Sequence, residues 1–315
     1  MTVFRGRPVA WARLPAALVL AAAAAFLGCR GGAEGPVHSA GAAPAGAELA
    51  FEWVVDGNQD IYAIPASGGV PRRLTDDPAL DGLPRWTPDG ETVVFCSERT
   101  GHYQLFEVAA TGGPARPVRA NTHVEYQADV SPDGRTLAFL SNAEGAEHLW
   151  ALERGTGAAR VLVRHGRNSI LGNPDWSPDG QRIVYSSNWR FGHQIYVLDV
   201  PSAKESRISP MTSGGCEPRF HPDGKRVVYV SRRHLGDTSR LVEHDLASGE
   251  ERVLVDWPAL NYDPTYSHDG AEIAFASNIT GEYVVYRQRL ADGQSWRVTF
   301  GKGSARYPDY RPATR

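Results

Sequence analysis

Acidic, amide and guanidinium side chains gather in this chain around one recurring point, a proline (or Ala128) that opens a repeated phrase. Immediately before it stand Leu83, Gln127, Asn173, Glu217, Asp263 and Tyr307, and immediately after it Arg85, Asp129, Asp175, Arg219, Thr265 and Asp309. Three residues ahead of it come Asp81, Glu125 and Asn261. If the phrase lies in an extended strand, these positions share one face, because side chains alternate with a period of two. Such a polar face could do two things. Arg85, Asp129, Asp175, Arg219 and Asp309 could pair between neighbouring units. Alternatively Gln127, Asn173, Glu217, Asp263 and Tyr307, with those five, could line a mouth for a peptide, a sugar or a divalent cation. On the second reading, removing the Glu217 and Asp263 carboxylates should abolish partner binding and leave the fold intact.

Other chemistry is thinly represented. The chain has no Gly-x-Ser-x-Gly elbow, His-Glu-x-x-His, P-loop or Cys-x-x-Cys. Of its ten histidines, His102, His148 and His193 precede one kind of strand at shifting offsets, and the others share no spacing. Metal sites want three or four donors in fixed geometry, so no bound cofactor is expected. An oligosaccharide lyase or hydrolase using channel carboxylates with a divalent cation is the alternative to a binding function. Lys plus Arg number 33 against 36 Asp plus Glu, scattered singly, which argues against a nucleic-acid partner.

The elements that must position these residues follow from the repeat itself. The phrase reads Pro84-Arg85-Trp86-Thr87-Pro88-Asp89-Gly90 and returns at Ala128–Gly134, Pro174–Gly180, Pro218–Gly224 and Pro264–Gly270. Its Asp residues 89, 133, 179, 223 and 269 are separated by 44, 46, 44 and 46 positions, the period of an array of supersecondary units. Pro and Gly supply a tight turn, and Asp caps it, so these five carboxylates are turn residues and not a catalytic set. Apolar runs such as Val93-Val94-Phe95 and Ile183-Val184-Tyr185 complete a hairpin. Third strands (Leu105–Val108, Ile195–Leu198) and fourth strands ending at Arg73-Leu74-Thr75 or Arg207-Ile208-Ser209 follow. The unit is a four-stranded antiparallel blade of an all-β propeller. The +2 aromatics Trp86, Trp176, Phe220, Tyr266 and Tyr310 belong to blade packing.

The chain ends set the blade count. Leu49–Trp53 matches Val93–Ser97 but lacks an opening strand, and Pro308–Pro312 matches an opening strand and then stops. Six blades result, the ring closed by a C-terminal strand joining the N-terminal blade, which removes the open edges. The string Asp60-Ile61-Tyr62 … Gly68-Gly69 … Arg72-Arg73-Leu74-Thr75 … Pro84–Gly90 resembles the propeller repeat of the TolB family, over residues 49–312. The resemblance implies an envelope function by protein docking, with a peptidoglycan-associated lipoprotein or another envelope protein as partner, within or beside the Tol–Pal system. That family carries an α/β domain ahead of its propeller, where this chain shows a low-complexity stretch.

The N-terminus reads as an address. Arg5, Arg7 and Arg13 precede an apolar run from Leu14 to Leu27, too short for a membrane span of roughly 20 residues. It ends Phe26-Leu27-Gly28-Cys29, which resembles a bacterial lipobox. The resemblance implies a signal peptide over 1–28, lipidation at Cys29 and, with Arg30 rather than Asp next, the periplasmic face of the outer membrane. Residues 29–48 are expected to be a flexible Gly/Ala/Pro tether reaching roughly 25 Å, the only membrane attachment of a monomer. Cys96 and Cys216 fall in opposite blades and are expected to be unpaired, small buried hydrophobes.

Overall fold

A computed structural model describes residues 37–38, 43, 46–189, 192–210, 214–232 and 238–313. The expected signal peptide over residues 1–28, Cys29 and most of the expected tether lie outside the described residues.

Six sheets form the ring. The five runs of the phrase give innermost strands Asp81–Trp86, Glu125–Val130, Leu171–Trp176, Cys216–Phe220 and Asn261–Tyr266, each turning back into an apolar second strand. The turn chemistry is the one the sequence dictates. In the first, Thr87 donates to Asp89 Oδ1 at 2.6 Å, Asp89 Oδ1 accepts the Glu91 amide at 2.9 Å, and Gly90 takes φ 69°. The Ser-His-Asp-Gly version closes alike, with Ser267 donating to Asp269 at 2.7 Å and Gly270 at φ 69°. Proline at the second position is therefore helpful, not required.

The ring closes as expected. Ser304–Tyr310 is the innermost strand of the sheet whose other members are Glu48–Val55, Asn58–Pro65 and Arg72–Arg73. Leu49 pairs with Tyr310 and Trp53 with Ala305 across the two ends of the chain. We number this composite blade 1 and count onward, so that Asn261–Tyr266 opens blade 6. Within the span read as a tether, Val37–His38 runs parallel to the outermost strand of blade 6, pairing with Ser295 and Trp296, and Glu48 already belongs to blade 1.

The core lies between blades. Phe51, Phe95, Phe139, Tyr185, Tyr229 and Phe275 hold one equivalent second-strand position, each 1 % exposed or less. Burying such a ring stabilises the fold by roughly 2 kcal/mol. Where tyrosine replaces phenylalanine, its hydroxyl meets a carboxylate of the fourth strand, Tyr185 to Glu205 and Tyr229 to Glu251. The +2 aromatics join these clusters, Trp86 with Ile61 and Val93, Tyr266 with Val228 and Phe275.

Candidate functional site: the central channel and its turn-face funnel

The innermost strands line the channel, but they do not alternate as extended strands. Leu83, Gln127, Asn173, Glu217, Asp263 and Tyr307 all have left-handed φ, between 50° and 58°. The pairing register shifts at this point in each blade, for example between Gly82 and Arg85 and between Tyr262 and Thr265. Each strand thus carries a β-bulge, which breaks the period of two. The expectation that positions −3, −1 and +1 share a channel face is corrected accordingly. Asp81, Glu125 and Asn261 are wholly buried. Asp81 takes a bidentate grip from Arg99 at 2.8 and 3.0 Å, Glu125 binds Arg119 and Asn121, and Asn261 bonds the Ser239 backbone and hydroxyl.

The strain of the bulge, about 1 kcal/mol or more per residue, is offset by bonds between blades. Gln127 Oε1 accepts the Asn173 amide at 2.9 Å, and Glu217 Oε2 accepts that of Asp263 at 2.7 Å. Asp263 in turn accepts the Tyr307 amide at 3.3 Å. Two second-strand residues that the sequence reading missed serve the same purpose: Glu52 for Leu83 at 3.0 Å and Cys96 Sγ for Gln127 at 3.3 Å. A further missed residue, Arg306, sits among them. It grips Asp263 at 2.9 and 3.0 Å, approaches Glu217 at 3.8 Å and lies against the rings of Tyr262, Tyr283 and Tyr307. Burial pushes Glu52 up to about 7, and burial plus repulsion from Asp263 pushes Glu217 up to about 8.

Nearer the turns runs a second belt. Asp309 accepts the Trp86 amide at 2.8 Å, Asp129 that of Trp176 at 2.7 Å, and Asp175 that of Phe220 at 2.7 Å. Arg85 lies 3.5 Å from Asp309 and 3.8 Å from Asp129, and Arg219 lies 3.4 Å from Asp175. Pairing between blades is therefore what these five residues do. Their carboxylates remain poorly compensated. Burial raises Asp129 to about 6, and burial with repulsion from Asp129 holds Asp175 well above the usual carboxylate range.

This second belt opens into a funnel of about 790 Å³ on the turn face. Asp129, Asp175, Arg219, Thr265 and Asp309 lie in its walls, and the rim carries Pro88, Pro132, Pro178, Pro222 and Pro312, with His268 in the sixth place. Gln127, Asn173, Glu217, Asp263 and Tyr307 are not among its lining residues, and neither is Arg85. The mouth expected from the sequence is thus two separate layers. The turn carboxylates Asp89, Asp133, Asp179 and Asp269 are held below the usual range, first by the hydroxyl of their own turn.

Among the described residues, no group of three or more His, Cys, Asp or Glu side chains is placed to hold a metal ion. A Ser–His–Glu series does occur in blade 4, where His165 meets Ser187 Oγ at 2.9 Å and Glu205 at 3.1 Å. Ser187 is fully buried at the end of a second strand, so its hydroxyl cannot reach a substrate. His148 begins the third strand of blade 3, and a third strand starts at the face opposite the funnel. Cys96 is buried and Cys216 half-buried, both unpaired, and burial pushes the Cys96 thiol up to about 12.

Comparison with known proteins agrees with this architecture. A family model described as the TolB beta propeller domain matches residues 30–170 and again 156–315. The Tol-Pal system protein TolB of Bordetella pertussis is 45% identical over 42 residues, which is 13% of this chain and 10% of that protein. The chain therefore aligns with about a tenth of that relative's length. The crystal structure of TolB from Acinetobacter baumannii superposes with a TM-score of 0.76 at 17% identity, covering 84% of this chain and 67% of that one. An oligogalacturonate lyase in complex with manganese gives 0.58 at 18% identity, covering 80% and 73%. At such identities these likenesses speak for the fold alone.

Proposed function

The chain belongs to the TolB beta propeller domain family, and from that premise we propose that it is a docking protein of the cell envelope. It binds an envelope protein partner at the turn-face funnel. The observation that carries this reading is the funnel itself: a preformed concavity of about 790 Å³ whose walls are bonded blade to blade. A rigid mouth with a few fixed polar groups binds without first having to order itself. The lipobox-like Gly28-Cys29 supports attachment through a lipid at Cys29, facing the periplasm from the outer membrane. The sequence match to a Tol-Pal system protein supports a partner of the peptidoglycan-associated lipoprotein kind. The lyase alternative has only fold likeness behind it.

A photo-crosslinking residue at Ala313, on the funnel lining, tests the reading in intact envelopes. The control position is Val253, exposed on the outermost strand of blade 5. A discrete envelope-protein adduct from position 313, absent from 253, is expected. No adduct from 313, or the same adducts from both, would refute docking at the funnel.

A further inference from the structure

We propose that the outer edge of blade 6 is a strand-docking site, and that its occupant is this chain's own segment at Val37–His38, which straps the ring to the span that precedes it. The strap goes beyond the funnel and is independent of what docks there.

Position by position, the outermost strands are alike in five blades and different in the sixth. Opposite Ala63, Glu107, Ala151, Val197 and Glu243 of the third strands stand Arg72, Arg116, Arg160, Ser206 and Arg252, all exposed. Charge on a short outer strand blunts an edge that would otherwise accept another strand. Opposite Arg287 in blade 6 stands Trp296 instead, 4 % exposed, beside Ser295 at 1 %. Its ring centre lies 4.1 Å from the Arg287 guanidinium and 5.4 Å from that of Arg289. Among the described residues this is also the one blade with a fifth strand, Val37–His38, in parallel register with Ser295 and Trp296. The edge that lacks its guard of charge is the edge that is covered.

The segment carries the matching signal. Between residues 31 and 48, Val37 is the one β-branched residue, and the strand forms there. Further along, Ala43 and Ala47 pack on the cluster that joins Val298 of the blade 6 side to Leu49 of blade 1, and the Ala47 carbonyl accepts the Ala66 amide at 2.8 Å. The span read as a tether is thus held to the ring at three places. From Cys29, the proposed lipid site, to Val37 is eight residues, at most about 28 Å of extended chain, against about 68 Å to Glu48. The strap therefore makes blade 6 the side of the ring held toward the membrane.

Hydrogen exchange on the full chain tests this, beside the variant His38→Pro, which alters nothing in the ring and cannot donate to a ladder. In the parent chain, amides of the segment around Val37–His38 should exchange at least about tenfold slower than those of an unstructured chain. In His38→Pro the segment should return to the unstructured rate and the outer strand Ser295–Arg297 should exchange faster, while Glu251–Val255, the outer strand of blade 5, keeps its rate. A parent segment exchanging at the unstructured rate, or a Ser295–Arg297 rate unmoved by His38→Pro, would overturn the strap. Protection of the segment that fades on dilution would overturn it too, because the strand would then come from a second copy. None of these readouts uses the funnel or the lipid, so the docking reading is tested apart from them.

Discussion

Replacing Asp263 with alanine should loosen the ring where the two ends of the chain meet. Asp263 is 3 % exposed and holds three groups of the closing strand and its surroundings: two Arg306 nitrogens at 2.9 and 3.0 Å and the Tyr307 amide at 3.3 Å. Stranding one partner of a buried ion pair costs about 3–5 kcal/mol, and an amide left without an acceptor costs about 1–3 kcal/mol. Glu217, 3.8 Å from Arg306, takes over part of the pairing once repulsion from Asp263 is gone. The expected loss is therefore about 3 kcal/mol, or roughly 6–10 °C in Tm for a domain of this size. Arg306→Met in the Asp263→Ala background should recover much of it, because the stranded charge is removed. Thermal scans of the two single variants and the double variant measure this, and hydrogen exchange at Ser304–Tyr310 localises it. A Tm for Asp263→Ala within 2 °C of the parent would refute the clasp reasoning. This replaces the expectation that Glu217 and Asp263 can be truncated without loosening the ring.

Two further outcomes are expected. Glu52 and Glu217 bind protons more tightly folded than unfolded, rising from 4.5 to about 7 and about 8, so their contribution is whole below pH 4.5 and lost as pH climbs through 7 and 8. Stability, read as Tm, should fall between pH 5 and 9 by several kcal/mol, at about 1.4 kcal/mol per unit of each raise, and Glu217→Gln should flatten that fall; an unchanged slope in this variant would refute it. Gly303, at φ 109°, immediately precedes the closing strand, and an added Cβ would lie 2.1 Å from the Val54 carbonyl oxygen. Gly303→Ala should destabilise by more than about 2 kcal/mol, whereas Gly101→Ala, with open space around it, should lose only about 1 kcal/mol; equal losses in thermal scans would contradict the crowding.

Much of the architecture was legible because its causes are local and repeated. A Pro-Asp-Gly turn is decided by four residues, and a second strand by the next six. Five similar copies at even spacing can only stack side by side. The half-units at Leu49–Trp53 and Pro308–Pro312 announced the closure, since each lacks what the other has. What sequence reading missed at the channel was the bulge. Its cue was present: proline at 84, 174, 218, 264 and 308 cannot donate to a ladder, and inside a strand it marks an edge or a bulge. Strict alternation ignored that cue and merged two belts into one face.

The remaining features were settled only in three dimensions. Asp309 reaches the Trp86 amide from 223 positions away, Arg306 reaches Asp263 from the closing strand, and Glu52 serves Leu83 from the neighbouring blade. No local pattern encodes such pairs, because blade-to-blade contacts depend on how the ring closes. The sequence by itself determined the blades, their number and the residues at each position, since turn geometry and hydrophobic spacing act within a few residues. Only the tertiary structure decided which carboxylates hold the ring from the funnel wall, as Asp129, Asp175 and Asp309 do, and which do so away from it, as Glu217 and Asp263 do. That choice depends on burial and on partners that come together when six blades share one axis.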